Sequence, residues 1–231
     1  MPLANEFFLL AHDERGRSRL HARATGIALA AGVLAELILS GHVTIRDSRV
    51  SARPLNRVGE AFPDSRAGLI GPDRYPPPAD SVGHAVYEQI AHEPQAHQVR
   101  TWLGGLAPTI TEAVAGRLTR LGLVTTEQTG MLRRTNRYVP IDINAGAAIS
   151  VRLARRFTRQ DPQLDWDDAV LGGLSRATGL INQVLHDDPT GEGRRHLTQV
   201  MHQIRVQEPP LIDLLANTEA AIGDAVLAHR T

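Results

Sequence analysis

Apolar positions form one long block near the start of the chain and periodic stripes after it. Leu3 to Ala11, with FFLLA at its end, predicts a short first helix that breaks at the DERG turn, Asp13 to Gly16. From about Thr25 to Ser40 the chain is apolar all round and carries one formal charge, Glu36. A helix with no polar face must be buried on nearly all sides. It ends at Gly41, and HVTIRDSRVSA then predicts two strands joined at Arg46-Asp47-Ser48. Residues 54–80 hold six prolines and several glycines and read as a surface loop.

Helical spacing dominates the rest. Val82, Val86 and Ile90 mark one helix; Val99, Trp102, Leu103 and Leu106 mark a second. Ile110, Val114, Leu118 and Leu121 form an amphipathic stripe that closes at Gly122. LVTTEQTGMLRRTNRYVP predicts a second hairpin turning near Gln128 to Gly130. Helices at about 142–160, 166–186, 191–206 and 210–229 complete the chain. The expected fold is mainly α: one globular helical domain over 1–231, with buried core helices and one or two short β-hairpins. Helix, glycine, strand, turn and strand occur in that order twice, at 25–53 and 109–139. That order is the local syntax of a winged helix.

Composition narrows the chemistry. All 25 basic residues are arginine and there is no cysteine. Lysine Schiff bases, P-loop lysines, thiolate chemistry and disulfides are therefore excluded. Formal net charge is zero, so any affinity for an anion must come from local patches. The apolar run 26–39 is short for a membrane span and contains Glu36, and no signal peptide is evident, so a cytosolic location is expected.

Few residues arrange themselves for catalysis. His92 and His97 are five apart with Pro94 between them, which does not present two ligands on one helix face. Asp165 reads as a helix cap, with Asp167 and Asp168 favoured by the helix dipole. No enzymatic constellation and no cofactor site are expected.

Basic clusters stand out instead. Arg15, Arg17, Arg19, His21 and Arg23 occupy every second position, which in an extended segment makes a one-sided cationic row. Arg133, Arg134 and Arg137 lie in the second hairpin. Arg152, Arg155, Arg156 and Arg159 share one helix face, readable as a solvated face paired with nearby acids such as Asp161. Glu36 reads as a paired structural charge.

FFLLAHDERGR, GVLAELILSGHVTI and RLTRLGLVTTEQTGMLRRTNRYVP together resemble the Golgi phosphoprotein 3 family. The resemblance implies a mainly helical, non-enzymatic peripheral membrane protein with a projecting hairpin, here about Val124 to Val139. Eukaryotic members bind phosphatidylinositol 4-phosphate. The lysine-free, arginine-rich composition points to a bacterial source of actinobacterial kind. Aligned without gaps, the family's pocket tryptophan falls on His21 and three pocket arginines fall on Ala30, Pro108 and Thr111. Arg17, Arg19, His21 and Arg23, with Arg117 and Arg120, are the local substitutes expected to bind anionic phospholipid headgroups. The hairpin residues Met131, Leu132, Arg133, Arg134 and Arg137 are expected to serve membrane contact and homo-oligomerisation. Two alternatives are a winged-helix DNA-binding regulator and an adaptor whose partner is a protein, with no lipid involved. Nucleic acid is the less favoured partner, because the first candidate recognition helix has no basic residue.

Overall fold

The computed structural model describes residues 1–53, 80–129, 135–159 and 165–228. The predicted 54–80 loop, all but Asp80, lies outside them, as do Met131, Leu132, Arg133, Arg134 and Asp161.

Its centre is α2 (Ala22–Leu39), in which every residue from Ala24 to Ile38 is buried. Around it stand α1 (Leu3–Ala11), α3 (Ser81–His92), α4 (Val99–Arg120), α6 (Trp166–Thr178) and α9 (Pro209–Leu227). Small residues make this possible. A Cβ on Gly26 would sit 2.3 Å from the Ala107 carbonyl oxygen of α4, and one on Gly32 would sit 3.2 Å from Ala4 of α1. Backbones that close leave room for hydrogen alone. By length and composition α2 could cross a bilayer, yet 83% of it is buried against its neighbours, so it is a core helix.

Residues 99–120 form one helix where the sequence pattern marks two. Pro108 lies inside it, on the exposed side, where the carbonyl it leaves unpaired can meet water. Leu103, Leu106, Ala107, Ile110 and Val114 meanwhile keep one buried stripe running through the proline. Leu121, counted in that stripe, instead caps the helix and is exposed.

Both helix–hairpin units are present. Gly41 and Gly122 adopt left-handed φ of 78° and 67°. Each is followed by a residue whose N–H reaches back five positions, His42 to Leu37 and Leu123 to Leu118, both at 2.9 Å. β1 (Val43–Arg46) and β2 (Arg49–Ala52) pair antiparallel, and two residues, β3 (His97–Gln98), extend that sheet. Asp47 and Ser48 turn the hairpin at φ of 50° and 55°, with Ser48 Oγ donating to the Asp213 carboxylate of α9 at 2.9 Å. β4 (Val124–Thr129) and β5 (Thr135–Pro140) form the second hairpin. The remaining helices are α5 (Ala145–Thr158), α7 (Ile181–Val184) and α8 (Glu192–Gln207). A recognition helix must present a face to a groove, which the enclosed α2 does not do.

Candidate functional site

The arginine row does not form a strand. Asp13 to Gly16 is a turn in which the Asp13 carboxylate accepts the N–H groups of Arg15 and Arg17 at 2.9 and 2.7 Å. Burial works against the Asp13 charge, but those two N–H groups and the charges of Arg17 and Arg19 outweigh it and hold its pKa below the usual value. His21 caps α2, its Nδ1 accepting the Arg23 N–H at 3.3 Å, which places Arg23 in the first helical turn. Arg15, Arg17, Arg19 and Arg23 remain exposed, and among the described residues no carboxylate lies within ion-pair distance of any of them.

This turn leans on the second hairpin. Gly16 (φ 70°) approaches β5 so closely that a Cβ would lie 2.3 Å from the Tyr138 carbonyl oxygen and 3.1 Å from Cγ of Arg137. Behind it Phe8 stacks on His12 with ring centroids 4.0 Å apart and meets Tyr138 edge-on at 6.4 Å. Arg19 Nε donates to the His12 carbonyl at 3.4 Å. Two basic segments more than a hundred residues apart in sequence thus meet at one surface, and Arg137 joins the rim of Arg15, Arg17, Arg19 and Arg23.

Arg117 departs from its expected role. It is 4% exposed, and its Nη1 donates to Asp80 at 2.5 Å and to Glu36 at 3.3 Å, while Nε donates to Asn5 at 2.7 Å. Glu36 also accepts the Ala4 N–H at 2.8 Å. A guanidinium whose donors are used inside the core cannot grip a headgroup. Arg120 is exposed and donates to Ser81 at 2.7 Å. The equivalent pocket positions match the same picture: Ala30 is fully buried, whereas His21 and Pro108 reach the surface. The position of Arg117 three after Val114 and seven after Ile110 was the available signal that it faces the core. Asp80 and Asn5 had no such signal, since both are brought to Arg117 by tertiary contact.

The helical arginines also divide. Arg152 and Arg156 bond Asp168 at 2.9 and 2.7 Å, and Arg152 also pairs with Glu6, while Arg155 faces solvent. Asp165 caps α6 by accepting the Asp168 N–H at 2.9 Å. Among the described residues no group of three potential ligands could hold a metal ion.

Glu36 makes the buried cluster pH-sensitive. Burial raises its pKa, the charge of Arg117 and the Ala4 N–H oppose this, and Asp80 adds to it. The folded state therefore keeps a proton on Glu36 to higher pH than the unfolded chain. The stability this contributes is full below the unfolded pKa and is lost as pH rises through the folded one. Glu36→Gln fixes the neutral form. In urea unfolding at pH 4 to 7 the variant should gain on wild type as pH rises; a constant or opposite difference would rule this out.

No curated protein sequence matches the chain. The family profile described as Golgi phosphoprotein 3 (GPP34) does match, over residues 3–221. An enclosed apolar helix with its Glu36, two helix–glycine–hairpin units and a basic turn against the second hairpin are thus carried by a chain that belongs to the Golgi phosphoprotein 3 family.

Proposed function

We propose that this protein is a non-enzymatic peripheral membrane protein that binds anionic phospholipid from the cytoplasmic side. The supporting observation is that the exposed Arg15, Arg17, Arg19 and Arg23 belong to a segment that packs through Gly16 onto β5 beside the half-buried Arg137. Guanidinium groups fork two hydrogen bonds onto phosphate, and a cluster of them reads lipid phosphate better than isolated charges do. Each arginine near an anionic leaflet contributes about 1 kcal/mol, so the rim gives reversible attachment rather than permanent insertion. Family membership supports the lipid reading. Because Ala30, Pro108 and Thr111 stand at the pocket's arginine positions, the chemistry recognised is the lipid phosphate in general.

Flotation with vesicles of phosphatidylglycerol, cardiolipin or phosphatidylinositol phosphates tests this. Wild type should float with anionic vesicles and not with phosphatidylcholine alone. Arg17, Arg19 and Arg23 changed together to Ala should weaken binding by about a hundredfold, the sum of about 1 kcal/mol each. Equal binding by both, or binding to soluble inositol phosphates without vesicles, would overturn it.

A further inference from the structure

Four of the large apolar side chains exposed among the described residues lie at the end of α4, between β5 and α5, and on α5. Leu121, Ile141, Ile143 and Val151 are 56%, 57%, 66% and 57% exposed. The Ile141 N–H donates to the Leu123 carbonyl at 3.0 Å, so these two residues continue the β4–β5 pairing one step past Val124 and Pro140. Val124 and Pro140 are buried; one step on, Ile141 is exposed while Leu123 stays half-buried against the core.

α5 extends the patch. Ile149, Leu153 and Phe157 are its buried stripe. On the opposite side, at four-residue spacing, come Ala147, Val151 and Arg155, with Arg159 as the C-cap; Ile143 is exposed in the turn just before the helix. A helix face turned to water is ordinarily polar throughout. Here its first half is apolar and its second half cationic.

Its position ties it to the arginines. A Cβ on Gly146 would lie 2.5 Å from the Leu9 carbonyl oxygen and 3.7 Å from that of His12, the oxygen that holds Arg19. The buried side of α5 thus sets the start of the helix against the turn, and on its exposed side Arg155 follows Val151 one turn on. An apolar strip with cationic flanks is complementary to a bilayer whose anionic headgroups overlie hydrocarbon. Asp142 sets a limit on depth: its carboxylate accepts the Asn144 N–H at 2.9 Å and must stay at headgroup level.

We infer that Ile141, Ile143 and Val151 seat in the headgroup–acyl boundary of an anionic bilayer, adding shallow apolar insertion to the attachment the arginine rim begins. This rests on the lipid reading above, and the two can fail separately. The chain has no cysteine, so Ile143→Cys or Val151→Cys can carry a single environment-sensitive fluorophore, with Val206→Cys on α8 as the control. With vesicles of equal parts phosphatidylglycerol and phosphatidylcholine, the labels at 143 and 151 should shift to the blue and brighten while the label at 206 stays unchanged. Ile143→Asp with Val151→Asp should bind those vesicles about tenfold or more weakly without a change in Tm, since two apolar side chains no longer leave water. Wild type that floats while the 143 label stays water-like overturns insertion and leaves the lipid reading intact. A blue shift without vesicles that grows with protein concentration overturns it in favour of a second copy covering the patch. Wild type that does not float overturns both.

Discussion

Arg117→Met should cost about 3–5 kcal/mol of folding stability, the range for breaking a buried ion pair by removing one partner. The loss has several parts. Glu36 and Asp80 would face each other without the cation between them, and Glu36 is only 7% exposed. The Asn5 side-chain oxygen would lose its donor at the same time. A buried acceptor without a partner costs about 1–3 kcal/mol by itself. Urea unfolding at pH 7 measures the total. Adding Glu36→Gln and Asp80→Asn to the same chain should restore much of it, because an uncharged set buried together escapes the desolvation penalty. A loss below about 1 kcal/mol for Arg117→Met would show that the cluster holds little of the fold together. Below its Tm the variant should still float with anionic vesicles, which separates this structural arginine from the Arg17, Arg19 and Arg23 rim.

What could be read from residues alone was whatever left a hydrophobic period. The first helix, the enclosed apolar helix and the first hairpin are where spacing and glycine put them, because burial imposes the spacing in the first place. The second hairpin is present too, but β4 stays paired through Gln128 and Thr129, where the turn was expected. Charged alternation is a different matter. Arg15 to Arg23 repeat every two residues, yet all are solvated, so their period carries no information about which way the backbone turns. The segment is a turn held by Asp13, and α2 begins at Ala22, three residues before the apolar block, because His21 caps it. Pro108 was a break only in sequence; on the exposed side of α4 it leaves the buried stripe whole. Partners 81 and 37 residues from Arg117, and the meeting of Gly16 with β5, depend on tertiary packing that no local pattern encodes. The basic surface was therefore legible as two separate clusters and not as one place.

Phe8→Ala should cost a similar amount, about 3–5 kcal/mol, because a fully buried aromatic ring leaves a cavity its neighbours cannot fill. Its consequence for the surface is the more informative part. Phe8 supports His12 by stacking and Tyr138 by an edge contact, and those two residues hold the Arg19 turn and β5 against each other. Removing the ring should loosen the basic rim well before the whole domain unfolds, since local opening follows the loss of local contacts. Phe157→Ala is the matched control. Phe157 is also fully buried, but it lies over Gly172 of α6 and meets His196 edge-on at 6.3 Å, at the opposite end of α5 from Gly146, which packs near the turn. Both variants should lose comparable stability in urea. Only Phe8→Ala should speed amide hydrogen exchange across Asp13 to His21 and weaken vesicle binding at a temperature where both remain folded. If the two variants bind vesicles equally well, the close packing of the turn on the hairpin does not matter for attachment, and the arginines act as independent charges.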